Sequence, residues 1–202
     1  MPNKRVVIIA SGDTERRALP HLCRDLYATG IEILEPVRTI VLRTRTSTRF
    51  ADRLRSTIKS AWHDHNGKSE PPSKFVILVD ADGRPKEAAI ASAREACRHL
   101  HDIPVPCLVT AAKWHLEAWF FADEQKLREF LGRDLGNISP QFPDEILNPK
   151  LHLKNLLSGR RYTREIADRI ASVVRPSVMQ THSQSFFDFV QAVRNGDGFV
   201  SG

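Results

Sequence analysis

The stretch Lys4 to Glu15, KRVVIIASGDTE, decides the fold. Five consecutive apolar residues, Val6 to Ala10, run into a Ser-Gly turn and then an acidic helix start. An apolar run of that length, bounded by turn residues, reads as a strand buried on both faces, the habit of parallel sheets. A second run of the same kind, Lys74 to Val79 (KFVILV), leads into Asp80-Ala-Asp-Gly83. In an open parallel sheet the strand carboxyl ends share one edge, and ligands bind there. If these two strands are neighbours, Glu15, Asp80 and Asp82 meet at that edge. Converging carboxylates repel one another and call for a shared proton or a cation. A hard divalent ion with oxygen ligands, Mg²⁺ or Mn²⁺, answers that need. The plainer alternatives stay open: Glu15 as an acid in the first turn of a helix, and the Asp pair as turn carboxylates ahead of Pro85.

Outward from these strands the first half alternates strand and helix. Thr14 to Thr29 places Leu19, Leu22, Cys23 and Leu26 on one helical stripe, with Pro20 predicting an irregular first turn and Gly30 ending it. Ile31 to Leu42 predicts an extended segment, clearest at Ile40, Val41 and Leu42, followed by a helix over Arg49 to His65. Asn66 to Ser73 has turn chemistry. Pro85 to His101 predicts a helix and Val105 to Thr110 another strand. This βαβαβαβ progression predicts an α/β fold, a mostly parallel sheet flanked by helices. The second half is helical in period at Trp114–Phe121, Glu124–Leu131, Leu151–Leu157, Thr163–Val174 and Ser183–Val193. The expected division is an α/β core over 1–125 and a helical C-terminal extension over 126–202, packed on that core.

Composition narrows the function classes. Of 202 residues, 41% are hydrophobic and 27% charged, ordinary for a soluble globular chain. No apolar stretch approaches the ~20 residues of a membrane span. The three cysteines, Cys23, Cys97 and Cys107, have no paired spacing and suit reduced thiols, so a cytoplasmic setting is expected. A net charge of +6 favours a polyanionic partner. Arg43, Arg45, Arg49, Arg53, Arg55 and Lys59 fall in a stretch where Asp52 is the lone acid, a solvated helix face or a nucleic-acid contact.

With these motifs in order, the chain resembles the Toprim-like proteins of domain-of-unknown-function family 4276, which are similar to the nuclease domains of OLD-type (overcoming lysogenization defect) proteins. The matching pieces are SGDTE (Ser11–Glu15), DAD (Asp80–Asp82), LEAWFFAD (Leu116–Asp123), NPKLHL (Asn148–Leu153) and SFFDF (Ser185–Phe189). The resemblance implies a Toprim (Rossmann-like) fold, Mg²⁺- or Mn²⁺-dependent cleavage of DNA or RNA phosphodiesters, and an ABC-like or AAA-type ATPase partner in bacterial anti-phage defence. It adds Glu117 to Glu15, Asp80 and Asp82 as metal-holding and catalytic acids. One departure stands out: the family pattern opens Glu-Gly-x-Thr-Glu, and here the first position is Ser11. A hydroxyl supplies neither charge nor a carboxylate base, with Asp13 and Asp123 as possible substitutes.

By its residues alone, Glu117 among Trp114, Trp119, Phe120 and Phe121 is either solvent-facing or buried with a partner. Lys113, His115, Lys150 and Lys154 are candidates to hold phosphate or protonate a leaving group, and Lys150 and Lys154 share a helical face. Cys97, His99, His101 and Cys107 match no common zinc spacing. Ser11 as a nucleophile lacks a base. The leading expectation is a metal-dependent nuclease whose acids are Glu15, Asp80, Asp82 and Glu117 and whose nucleic-acid contacts include Arg43, Arg45, Arg49, Arg53, Lys150 and Lys154. The alternative is a catalytically degenerate subunit that binds an ATPase or nucleic acid without cutting. A small-molecule phosphoryl-transfer enzyme is a third class, and a homodimer is left open.

Overall fold

The computed structural model describes residues 4–40, 47–67, 70–132, 142–157, 159 and 161–195. The first strand, β1 (Lys4–Ala10), lies inside the sheet between β2 (Ile31–Thr39) and β3 (Lys74–Asp80), and β4 (Cys107–Ala112) completes the order β2-β1-β3-β4. Every neighbouring pair is parallel, so the expected α/β fold is present. Side chains alternate across a strand. Val6, Ile8 and Ala10 enter one core cluster, while Val7 and Ile9 enter the other.

The helices on the two faces follow from the connections. On the Val7 side lie α3 (Ser47–Asn66), burying Leu54, Ile58 and Ala61, and α4 (Lys86–Arg98), burying Ile90, Ala93 and Ala96. On the Val6 side lies α1 (Asp13–Leu22), with Ala18, Leu19 and Leu22 inward. The helix expected over Thr14–Thr29 divides at Cys23 into α1 and the short α2 (Arg24–Tyr27). The division lets the Arg24 guanidinium donate to the carbonyls of His21, Ala171 and Val174, tying α2 to the second half of the chain.

Two boundaries differ from expectation. The second strand is Ile31–Thr39, earlier than the Ile40–Leu42 run; Val41 and Leu42 lie outside the described residues. Pro36 masks it in sequence, yet falls in the register break between the pairs Val7–Leu34 and Ile9–Arg38, where a missing donor costs no ladder bond. The fourth strand starts two residues later than expected, after Pro106, and runs on to Ala112.

The second half packs on the Val6 face. It comprises α5 (Glu117–Phe120), a 3₁₀ turn (Phe121–Asp123), α6 (Glu124–Leu131), α7 (Pro149–Leu156), α8 (Arg164–Val173), α9 (Pro176–His182) and α10 (Gln184–Arg194). Asn148, Thr163 and Ser183 cap α7, α8 and α10 by accepting the backbone N–H three residues on. One core cluster holds residues of both halves, from Val6 to Val193. Within it Trp119 Nε1 donates to Ser185 Oγ at 2.8 Å, and its ring lies 5.0 and 5.4 Å from Phe186 and Phe189. At the amino edge of the sheet the buried Lys74 Nζ donates to the carbonyls of Ala192 (3.0 Å) and Asn195 (2.7 Å), and Lys4 Nζ donates to that of Arg194 (3.2 Å). Two strand-starting lysines thus neutralise the negative end of α10.

Candidate functional site

At the carboxyl edge the adjacent central strands deliver their acids. β1 ends at Ala10 and turns through Ser11 and Gly12 into α1, whose first turn carries Glu15 inward. Gly12 keeps the approach open: a Cβ there would stand 2.7 Å from Glu15 Oε2. β3 ends on Asp80 itself, and the Ser11 hydroxyl donates to Asp80 Oδ2 at 3.0 Å, linking the two strand ends. Asp82 adopts φ 50 and Gly83 φ 74 in the turn that follows. A Cβ on Gly83 would fall 2.5 Å from the Trp114 ring, so only glycine lets this turn sit on Trp114. Asp82 is turned toward His115, whose Nε2 is 3.1 Å from Asp82 Oδ1; the His115 Nδ1 is buried without a hydrogen-bond partner.

Glu117 opens α5 and is 1% exposed. It is therefore buried with partners: Tyr162 donates its hydroxyl to Glu117 Oε1 at 2.9 Å, and Lys150 Nζ stands 3.6 Å from the same oxygen and over the Tyr162 ring. Asn148, at φ 49, caps α7 and sets Lys150 in its first turn, while Tyr162 immediately precedes the Thr163 cap of α8. Three helical elements thus meet at one carboxylate.

The electrostatics follow from this crowding. Burial, then the negative charge of Asp80, pushes the Glu15 carboxyl up to about 7, with Glu117 adding and Lys150 opposing. Burial also pushes Asp80 up to about 7; the Ser11 hydrogen bond opposes the rise, and Glu117 and Asp82 reinforce it. Burial, followed by the Glu117 charge and hydrogen bond, pushes the Tyr162 phenol well above its ordinary range. Near neutral pH the Glu15–Asp80 pair holds its protons loosely, titrating as a unit.

Glu15, Asp80 and Glu117 are brought within each other's fields, with Asp82 beside Asp80 and Lys150 among them. Asp80 and Asp82 point apart, one to Ser11 and one to His115. Among the described residues no three His, Cys, Asp or Glu side chains are gathered tightly enough to hold one ion. Of the two acids expected as substitutes at the Ser11 position, Asp123 is committed to Arg175, whose backbone N, Nε and Nη2 all donate to it, and Asp13 is an exposed neighbour of Arg164. Arg43 and Arg45 lie outside the described residues, as does nothing else in the proposed site. Arg49 and Arg53 sit at the start of α3 on the opposite sheet face from Lys150, and Lys154 makes no side-chain contact with the acids. Sequence reasoning missed Tyr162: its neighbour Thr163 is a visible cap, but nothing in the sequence marks the phenol as the partner of a residue 45 positions away.

Residues 11–194 match the family described as domain of unknown function (DUF4276). The chain belongs to DUF4276. No curated protein matches this DUF4276 chain. Among solved structures it is similar to the C-terminal region of the Xanthomonas campestris pv. campestris OLD protein, at 16% identity over 95% of this chain and 94% of that one, with a TM-score of 0.42. A likeness that distant transfers neither an activity nor a site to this DUF4276 chain.

Proposed function

We propose that the carboxyl edge is the centre of a metal-dependent phosphodiesterase acting on nucleic acid, a nuclease. The observation that carries this reading is the pair of carboxylates Glu15 and Asp80, held together across adjacent strand ends and raised to about 7, with the Lys150 ammonium and two further acids beside them. Perturbed acids gathered at a topological ligand edge are the physical signature of a reaction site. The donors are all oxygens, and their mutual repulsion is what a hard divalent cation relieves, so Mg²⁺ or Mn²⁺ fits the donor chemistry. Glu15 and Asp80 would hold it, joined by Asp82 and Glu117 once these turn from His115 and from Tyr162 and Lys150, and when bound it would supply Lewis-acid polarisation of a phosphoryl oxygen.

The chain's own residues do the rest. Lys150 places a positive charge at Glu117, where it can meet a phosphate oxygen. Ser11 orients Asp80 through its hydroxyl, and Tyr162 fixes Glu117. The sequence resemblance to OLD-type nucleases supports this reading and extends it to an ATPase partner in a cytoplasmic anti-phage system. No helix among the described residues is long and apolar enough to cross a membrane. Calorimetric titration with Mn²⁺, wild type against Asp80→Ala/Asp82→Ala, tests the centre. Binding that disappears in the double variant is expected, followed by cleavage of oligonucleotides in Mn²⁺; binding that persists unchanged removes these acids from the site.

A specific observation favours a second reading, a non-catalytic subunit. Where the family pattern has a Glu, Ser11 spends its hydroxyl on Asp80, and Glu117 is already paired with Tyr162 and Lys150. Ser11→Glu separates the two. A rise in Mn²⁺-dependent cleavage in the variant, from none in the wild type, identifies a decayed centre; cleavage by the wild type dismisses decay.

A further inference from the structure

The described cations divide into two populations. Over most of the surface each exposed Lys or Arg has an acidic neighbour: Arg55 has Asp52, Lys59 has Asp102, Lys86 has Asp188, Arg94 has Glu87, Arg98 has Glu95 and Lys126 has Glu129. Five exposed described cations outside these pairs, Arg16, Arg49, Lys113, Lys154 and Arg161, have side chains that enter no hydrogen bond, ion pair or ring contact. Arg194, half-buried at the amino edge with its Nε unpartnered, stands apart from them. Each of the five exposed ones belongs to a segment at the carboxyl edge.

Their placement follows from topology. Arg16 is in the first turn of α1, directly after β1, and Lys113 directly follows β4. Arg49 is in the first turn of α3, the crossover that leaves the carboxyl end of β2 to return to β3. Arg161 precedes Tyr162, whose hydroxyl reaches Glu117. Lys154 is one turn beyond Lys150, whose ammonium is near that same Glu117. The four strands alone separate the β2 side from the β4 side by about three strand spacings, ~14 Å. Each strand of a duplex presents a phosphate about every 3.4 Å of axis, so that breadth, with the helices beyond it, faces several of them.

We propose that Arg16, Arg49, Lys113, Lys154 and Arg161 form a rim that binds the phosphate backbone of a polynucleotide several residues long, lying across the carboxyl edge. The inference rests on the nuclease reading and deepens it by naming the residues that hold the polynucleotide backbone. A mononucleotide or inorganic phosphate is too short to engage both ends of the rim. The rim reads charge spacing, which DNA and RNA share, and makes no demand on the bases.

The test is fluorescence anisotropy with labelled 20-nucleotide single strands of DNA and of RNA, in EDTA, across a range of KCl concentrations. Five phosphate contacts predict a log–log salt slope of about −3.5 for a single strand. Replacing any one rim residue by Ala is expected to flatten that slope by about 0.7, with Arg94→Ala, a paired cation away from the edge, leaving it unchanged. Equal slopes for the two sugars support pure backbone binding; unequal affinity with the same rim dependence supports the rim and names the sugar. A slope near zero, or an Arg94→Ala effect equal to that of the rim variants, overturns the proposal. Because EDTA removes metal, the two readings fail separately. Rim-dependent binding without cleavage in Mn²⁺ sinks only the hydrolytic reading, and cleavage indifferent to rim removal sinks only the rim.

Discussion

Asp123 and Asp80 are two aspartates in one molecule with opposite histories. Asp123 is fully buried between the 3₁₀ turn and α9, yet it accepts from the backbone N, Nε and Nη2 of Arg175 and from the backbone of Lys126. Burial works to raise its pKa, but these hydrogen bonds outweigh burial and hold the carboxyl below its ordinary range. Asp80 receives one hydroxyl from Ser11 and faces Glu15, Glu117 and Asp82, and it rises to about 7. The helical half neutralises its buried acid; the sheet edge leaves its acids mutually repelling. A charge that the fold satisfies is structural, and one that it leaves in debt is available for a ligand.

The strongest way to break that contrast is at Asp123. Asp123→Ala takes the carboxylate from Arg175, leaving it only Gln125, and uncaps α6, and should cost about 3 kcal/mol in urea unfolding at pH 7. Its contribution is present above the ordinary carboxylate pKa and disappears as pH falls through the depressed folded value. A loss under ~1 kcal/mol would erase the distinction.

Asp80→Asn should act with the opposite sign. A folded pKa of about 7 against an ordinary 3.8 means the cost of ionising Asp80 is absent below pH ~4 and complete above ~7. The variant should therefore be up to about 4 kcal/mol more stable than wild type at pH 8 and equal to it near pH 4. Denaturation at both pH values checks it, and a variant less stable at pH 8 reverses the argument.

Smaller effects sharpen the picture. At pH 8, Mn²⁺ should raise the wild-type Tm by roughly 2–4 °C, about 1 kcal/mol for a chain of this size, and leave Asp80→Asn/Asp82→Asn unmoved. Tyr162→Phe removes one hydrogen bond to Glu117 and should cost about 1 kcal/mol. A cost of nothing would mean that Lys150 alone satisfies Glu117.

The parallel sheet was legible because Val6–Ala10 and Phe75–Val79 are uninterrupted apolar runs, which local sequence alone can mark. The same logic put Glu15, Asp80 and Asp82 on one edge. Less legible was anything set by distant partners. Pro36 hid an edge strand because only the register break explains it. The basic stretch beginning at Arg43 looked uniform, yet Arg55 and Lys59 are paired with Asp52 and Asp102 while Arg49 is not. Asp123 looked like a spare site acid until Arg175, 52 residues later, claimed it. The helix Pro176–His182 was not anticipated, since its seven residues are too few to show a period.

The grip of Lys4 on the Arg194 carbonyl joins positions 190 apart. That span sets a timetable for the nascent chain. Strand β1 can meet β2 once about forty residues are available, but the apolar face shared by Val6, Ile8 and Trp119 has no complete cover until α10 arrives. At ~5–20 residues per second of synthesis, that face waits on the order of ten seconds or more. Contacts so remote in sequence also slow folding itself. Production of this protein should accordingly respond to chaperone supply and to cooler growth more strongly than to changes in surface residues.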